Sequence, residues 1–578
     1  MNSRVMTTLA AAAVLGMGAP ADTPPKQPDA AELRSAAARG LNLLHKVGAE
    51  WKQQCISCHN QIIPAMAARV AREHGVPVDE AIARKAARPY GYFSDLDMAV
   101  QATFMIDPTL SDGYGLVGAW ASGVKPSLAT AVYARRIANL QREDGSWTIF
   151  DGRPPSSSSL FTATAIGARA LDLYLPDRMA EAKREHLARA RRWLAANKPG
   201  TVEERAFQLL GLKWTGASWQ QRAAAAQALL ALQREDGGWA QIPSFKADPY
   251  ATGQAIYALR EAGGVPRGHE AVTRGVRWLM TNQREDGSWL TPTRLHTPVP
   301  ISPPYFESGY PHGKDQFISA AGASWAVMAL AMALPEANDS PGVPRLEFAE
   351  PASVAPWMET ALFGTADELR AMLDGGLDPN SRSANGTTIL MMAAPDMAKM
   401  QLLANRGADL KAKAASGQTA LMIAAQYRGS SDAVQFLLSK GAAADPGAGV
   451  MFNASPLFNA VYADDLASVK ALIAAGAPVN RKMMLVGSFP ISPMGLAVAF
   501  EHTAMMRVLA QAGANVNEIS PDGLSLLGEA AVSNKVEAAR TLIELGADRS
   551  HRDKWGYTPA RHARETSDFP SGVASLFE

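Results

Sequence analysis

Three near-copies of one eight-residue string constrain the fold of this 578-residue chain more than any other feature in it. They are LQREDGSW (140–147), LQREDGGW (232–239) and NQREDGSW (282–289), and each closes an apolar pattern with helical spacing. Self-similarity of this kind marks stacked repeats. Gln ends a helix, and Asp-Gly supplies the turn that tolerates a left-handed residue. The Trp then packs back over the helix end, with its indole NH free to meet a carbonyl. Gln141 and Gln233 are 92 positions apart and Gln233 and Gln283 are 50 apart, so the longer interval has room for one degenerate copy. Its expected place is the helix of residues 191–196, where Trp193-Leu194 matches Trp278-Leu279. Ala- and Leu-rich stretches between the strings (223–232, 251–259) have helical spacing and small residues suited to close packing.

Residues 31–335 have room for six or so units of ~46 residues, enough to stack paired helices into a closed ring. The run Arg274-Gly275-x-x-Trp278-Leu279-x-x-x-Gln283-x-x-x-Gly287-x-Trp289 resembles the whole QW motif of the α/α toroid of squalene-hopene cyclases and protein prenyltransferase β subunits. The other copies fit only its second half. That resemblance implies a terpenoid cyclase-like α/α toroid in which these Trp and Gln residues are staples and not catalytic groups. Squalene-hopene cyclases protonate their substrate from the middle Asp of a DxDD motif, which aligns with Asp248-Pro249-Tyr250-Ala251. Here the middle position is Tyr250, whose phenol, with a reference pKa near ~10, is far too weak to protonate an alkene. Asp95-Leu96-Asp97-Met98 keeps two acids in the wrong repeat and reads as a solvated helix start. The zinc ligands of the prenyltransferases have no counterpart, so the ring is expected without cyclase chemistry, and whether it is an enzyme stays open. The Pro-, Gly- and aromatic-rich run 302–313 reads as a strap over the ring or as a ligand-holding loop.

A second array begins near Val354, after a linker at 336–353. Its markers Gly376, Gly407, Gly441, Gly476, Gly513 and Gly546 are spaced 31, 34, 35, 37 and 33 residues apart. Gly417-x-Thr419-x-Leu421 and Gly556-x-Thr558-Pro559 resemble ankyrin repeats, with looser matches at 454–457 and 492–496. About six repeats and a degenerate cap after Trp555 fill 354–578. The fold class is thus all-α, a toroid followed by an ankyrin-repeat solenoid. The resemblance implies a protein partner held on the array, and no chemistry in it.

Chemistry is carried by Cys55-Ile56-Ser57-Cys58-His59, which contains both cysteines of the chain. Cys-x-x-Cys-His is the sequence to which haem is attached in c-type cytochromes. Two thiols can add to the two vinyl groups of one porphyrin, and the adjacent imidazole then ligates the iron. Cys55, Cys58 and His59 are therefore the candidate cofactor site for one covalent haem c, with His59 the metal ligand. A Cys55–Cys58 disulfide or thiol-redox pair and half of a zinc site are the competing readings. The distal ligand is open among His74, Met66, Met98, Met105 and His312, and a five-coordinate iron is a further option. The helix expected before the motif, carrying 41–44 and Trp51, places it where the first Gln-Trp turn would be.

Residues 1–21 have the pattern of a secretory signal: Arg4, an apolar run over 5–18, and Ala19-Pro20-Ala21 before a cut at Asp22. A Pro-rich tether, 22–30, comes next. No later run is long enough to span a membrane, so an exported chain, periplasmic or secreted, is expected. Lys plus Arg is 56 and Asp plus Glu 55, which leaves no basic field for nucleic acid. The leading expectation is an exported haem protein for electron transfer or haem-based sensing, with an ankyrin domain that docks a partner. Its rivals are a toroid enzyme acting on an isoprenoid or other apolar substrate, and a non-enzymatic scaffold with a Cys55–Cys58 disulfide.

Overall fold

The computed structural model describes residues 28–51, 58–101, 108–149, 154–156, 158–294, 307–337, 354–447, 449–485, 489–565 and 572–578. The signal segment, Cys55, Met105 and most of the 336–353 linker lie outside them.

In chain order the first array consists of α1 (Ala30–Glu50), α2 (Ile63–Glu73), α3 (Glu80–Ala86), α4 (Leu96–Gln101), α5 (Tyr114–Ala121), α6 (Leu128–Asn139), α7 (Leu160–Tyr174), α8 (Ala180–Ala196), α9 (Val202–Trp214), α10 (Trp219–Leu230), α11 (Pro249–Glu261), α12 (Glu270–Thr281) and α13 (Gln316–Met332). Six of them form an inner layer: α2, α5, α7, α9, α11 and α13 each pack on the next, and α13 packs back on α2. The circuit is closed. Burial separates the layers as the sequence patterns require. Every residue of α13 except Phe317 is buried, whereas α8, in the outer layer, buries only Ala190, Trp193 and Leu194.

The three repeated strings do the same job in atomic detail. The indole NH groups of Trp147, Trp239 and Trp289 donate to the carbonyls of Ile137, Leu229 and Leu279, at 2.7, 3.0 and 2.8 Å. These carbonyls belong to the last turn of the preceding helix, where orphan acceptors need partners. Each Gln amide bridges two more carbonyls, one in its own turn and one on the following outer helix. Gln141 donates to Gly145 and His186 of α8, and Gln233 to Gly237 and Ala271 of α12. Gln283 donates to Gly287 at 3.2 Å and to Ala36 of α1 at 2.9 Å. The last staple therefore reaches the first helix. Gly287 has φ +85°, and a Cβ there would lie 2.9 Å from the Arg39 carbonyl, so the turn needs glycine twice over, for its backbone and for its neighbour. Trp289 sits on Gly40 of α1, where a Cβ would come within 2.7 Å of the indole.

Where the sequence pattern degenerates, the staple changes. Trp193 and Leu194 lie in α8 and are buried, matching the expected place of the fourth copy. No Gln-Trp turn comes after them; instead Gln208 of α9 reaches back to the carbonyls of Leu194 and Asn197, at 2.8 and 3.1 Å.

The second array is a row of short antiparallel pairs: α14 (Pro356–Phe363) with α15 (Ala366–Asp374), α16 (Ile389–Ala393) with α17 (Met397–Asn405), α18 (Ala420–Ala424) with α19 (Ser431–Ser439), α20 (Pro456–Tyr462) with α21 (Leu466–Ala474), α22 (Pro493–Ala499) with α23 (Thr503–Gln511), and α24 (Leu526–Val532) with α25 (Val536–Glu544). A final helix, α26 (Pro559–Glu565), closes it. The first helix of five pairs is capped by the hydroxyl of Thr388, Thr419, Ser455, Ser492 or Ser525, which accepts from a backbone NH three residues on. All six marker glycines have φ between +82° and +98° and end the second helix of their pair. A short hairpin, β1 (Met483–Leu485) paired with β2 (Phe489–Ile491), and the bridges Arg382–Thr388, Lys413–Thr419 and Ile519–Ser525 form turn tips that project ahead of the first helices. Among the described residues no helix is long and apolar enough to cross a membrane.

If Gln283 closes the circuit, Gln283→Ala leaves the Ala36 and Gly287 carbonyls without it and destabilises the ring by roughly 1–3 kcal/mol. Denaturant melts read the loss. Hydrogen exchange should quicken in α1 and stay unchanged in the second array.

Candidate functional site

The described part of the Cys-x-x-Cys-His motif opens a helical turn, Cys58–Ile62, that runs directly into α2. It lies between an outer and an inner helix, the place the Gln141–Trp147 turn takes between α6 and α7. The side chains of Cys58 and His59 lie outside the described residues. α1 packs tightly on this turn: a Cβ at Gly48 would be 2.4 Å from the Asn60 carbonyl. One turn earlier on α1 is His45, 3% exposed, whose Nδ1 has no hydrogen-bond partner among the described residues. Burial, then the nearby Arg72, pushes its pKa down to about 4, so this imidazole is neutral at physiological pH. With Gln61, Pro64, Arg72, Glu80 and Tyr90 it lines a cavity of about 30 Å³, room for about one water.

The distal candidates are dispersed. His74 Nδ1 is engaged with the Leu334 carbonyl at 3.0 Å, and His312 Nε2 with Ser288 Oγ at 3.0 Å. Met66 is in the core on α2, and Met98 is half-buried on α4. Of the 302–313 run, only its last residues are described, and Tyr310 among them is buried. His45 was not anticipated from sequence, because a lone His on an amphipathic helix has no local mark that separates core from surface.

The inner helices run in one direction, since an outer helix returns the chain between them. On α11 and α13, Tyr250 lies beside Gly322 and Gly253 beside Trp325, in ascending order. Their N-termini therefore gather at one end of the circuit, with the Cys58–Ile62 turn, Thr162, Glu203 and Asp248. Glu203 is 4% exposed and accepts from Thr162 Oγ1 at 2.8 Å. Burial pushes its carboxyl up to about 8, with Arg294 opposing. Asp248 caps α11, accepting from the backbone NH groups of Ala251 at 3.0 Å and Gln241 at 3.2 Å, and burial raises it to about 6. A carboxylate tied to two backbone donors holds a helix end and is not poised to protonate an alkene.

Below this end, Tyr114 of α5 stacks edge-on to Phe207 of α9, and Phe207 to Trp325 of α13, at 6.4 and 6.2 Å between centroids. Tyr250 and Tyr257 of α11 meet the same indole at 6.5 and 5.4 Å. Helices α5 and α9, and α9 and α13, are not neighbours in the circuit, so these contacts pass through its centre. Aromatic rings meet across it.

Asp97 corrects the sequence-based expectation of a solvated helix start. It is 8% exposed and faces the second array, where Ser383 Oγ and Thr387 Oγ1 donate to its carboxylate. Asp95 is the exposed cap of α4, accepting from Met98 N at 2.9 Å. The contact between the arrays continues along α6 and beyond. Arg135 donates to the Leu362 carbonyl at 2.6 Å and to Tyr427 Oη at 3.1 Å. Arg428 donates from its backbone to Asn139 and from its side chain to the Gln141 carbonyl, both at 3.1 Å. Lys535 Nζ donates to the Ile149 carbonyl at 2.8 Å, beside a cleft of about 290 Å³ lined by both arrays. The tips around Ser383–Thr387 and Ser416, and the ends of α14, α18 and α24, thus meet the ring.

Residues 357–448 and 455–553 match the family model for ankyrin repeats (3 copies). The second array is made of ankyrin repeats. Among solved structures the chain is similar to the human ASB11 ankyrin repeat domain, at 24% identity and a TM-score of 0.34, over 39% of this chain and 98% of that one. No curated protein matches the chain. Ankyrin repeats generally mediate protein–protein interaction.

Glu203 makes a signed prediction. An acid whose folded pKa lies above its unfolded value binds more protons in the native state, so its contribution to stability falls as pH rises from about 4.5 towards about 8. Glu203→Gln should flatten the melting temperature across that window, removing at most ~1.4 kcal/mol per pH unit of slope. Parallel pH-dependent profiles for the two proteins would show that Glu203 ionises freely.

Proposed function

We propose that the chain is an exported haem-carrying interaction protein, in which an α/α toroid holds one covalent haem and an ankyrin array provides the interaction domain. The toroid reading is supported by the closed circuit of inner helices and by the Gln283 staple onto α1. The haem reading is carried by one observation: Cys58 and His59 open a helical turn that is continuous with an inner helix. The donor set fits a c-type haem, since Cys55 and Cys58 supply two thiols for thioether bonds and His59 an adjacent imidazole for the iron. A haem held there supplies one-electron exchange, which suits electron transfer or haem-based sensing. The chain's own part is to fix the attachment point: the Gly48–Asn60 approach locks the turn against α1, and α2 carries it into the core. The signal-like segment at 1–21 accords with attachment in the periplasm or outside the cell. A toroid enzyme is less well supported, because Asp248 is a helix cap and Tyr114, Phe207 and Trp325 touch across the ring.

The test is spectroscopic. Full-length protein from a strain with haem-attachment machinery should show a Soret band that survives acid-acetone extraction, and a mass one haem above that of the processed chain. Cys55→Ala with Cys58→Ala should abolish both signals. A colourless protein with the bare mass overturns the haem reading, and a mass lower by two hydrogens identifies the Cys55–Cys58 disulfide instead.

A further inference from the structure

The polar groups around Asp97 form a recognition site that lies wholly in the ankyrin array. Ser383 Oγ and Thr387 Oγ1 donate to one carboxylate oxygen, and the backbone NH of Asn385 approaches the other at 3.4 Å. One helical turn along α4, Gln101 is gripped from both sides: its amide donates to Thr387 Oγ1 and the Asn385 carbonyl, and its oxygen accepts from Ser416 Oγ at 2.5 Å. Residues i and i+4 share one helix face, so two adjacent turn tips read an Asp-x-x-x-Gln stripe. The tips are also held by hydrogen bonds of their own. Ser383 N donates to the Thr387 carbonyl at 2.9 Å, Thr387 N to Ser383 Oγ at 3.0 Å, and Ala415 N to the Asn385 carbonyl at 3.0 Å. With Thr387 N on its oxygen, the Ser383 hydroxyl directs its proton outward. All three donors to Asp97 are uncharged, so the pairing depends on a buried carboxylate meeting preset dipoles, a strong class of hydrogen bond.

We propose that the Ser383–Thr387 and Ser416 turn tips are a binding site for a helix bearing a carboxylate with an amide one turn on, and that the chain's own α4 occupies it. The array's interaction role then begins in cis. A partner protein using these tips must present the same chemistry and displace Asp97 and Gln101. This inference rests on the array's being an interaction domain and is independent of the haem, so a colourless protein leaves it untouched.

The experiment uses the full chain with a protease site inserted in the 338–353 linker. After cleavage, the two halves should stay together at micromolar concentration in gel filtration. Asp97→Lys, on one side, and the pair Ser383→Ala and Thr387→Val, on the other, should each weaken their association at least tenfold. Arg178→Ala removes only exposed ion pairs with Glu359 and Glu368 elsewhere on the seam and should change it less than threefold. A helix-stabilised, fluorescently labelled peptide of residues 94–103 should bind uncleaved Asp97→Lys protein and not the wild type, whose site is filled. Unchanged association in the Ser383/Thr387 variant, or equal peptide binding by wild type and Asp97→Lys, overturns the proposal.

Discussion

A carboxamide NH2 has two protons, and Gln283 gives one to the turn it ends and the other to a helix that began the chain almost 250 residues earlier. The same bond in the other two copies joins helices adjacent in sequence, α8 to the Gln141 turn and α12 to the Gln233 turn. Only the last copy must find its acceptor at the other end of the array. A row of helix pairs left open exposes an apolar face at each end, which open solenoids cover with special terminal repeats. Closure makes those caps unnecessary here, since α13 covers α2 and α1 covers α13. Trp289 resting on Gly40 turns the closing contact from a hydrogen bond into a packed seam.

Closure also decides what the ring can do. Because the inner helices run in one direction, every connection from an outer to an inner helix arrives at one end, and the Cys-x-x-Cys-His motif is one such connection. The centre beneath is occupied by Tyr114, Phe207, Tyr250, Tyr257 and Trp325, which touch across it from four helices. Glu203 lies at the border between these zones, close enough to the end to be polar and deep enough that burial keeps it protonated. Its neighbour Glu204 does the ordinary work of a first-turn acid, closing a capping box with Thr201.

That pair shows what sequence reading reaches and where it stops. Thr201-x-x-Glu204 is a local pattern whose physics is complete within four residues, and the Gln-Trp strings and the marker glycines are local in the same way. The Gln-Trp strings and the marker glycines were legible because a helix C-terminus satisfies its own carbonyls with the residues directly after it. Glu203 looks like any acid in a first helical turn, and only the position of Thr162 on another helix shows that it points inward. Asp97 is the stronger case. Its partners Ser383 and Thr387 lie 286 and 290 residues away, and nothing near α4 distinguishes a carboxylate that will be buried from one that water will solvate. The Cys-x-x-Cys-His motif stands between these extremes: its chemistry is written in five residues and its place at the first Gln-Trp turn follows from the repeat spacing, whereas the tight approach of Gly48 to Asn60 emerges only with the fold.

The two arrays meet through hydrogen-bonding side chains as well as apolar ones, with Arg135 lying over the rings of Phe363 and Tyr427. Each array buries its own apolar faces, Trp325 and its neighbours in the ring and leucines such as Leu390, Leu421, Leu457, Leu496 and Leu527 along the ankyrin row. The seam uses side chains that hydrogen-bond: Asp97, Gln101, Arg135, Asn139, Arg428 and Lys535, several of them onto bare carbonyls. Interfaces between domains are commonly more polar than domain cores, and these hydrogen bonds add that character to the seam. Asp97 adds direction to that balance. Joining removes water from its carboxylate, a cost that the hydrogen bonds of the tips offset; parting returns that water, so the net hold is modest while the charge fits one geometry and rejects neighbours that lack it. A seam of this kind selects its occupant more sharply than it holds it, which is the behaviour an interaction domain needs if a second protein is to compete with the ring.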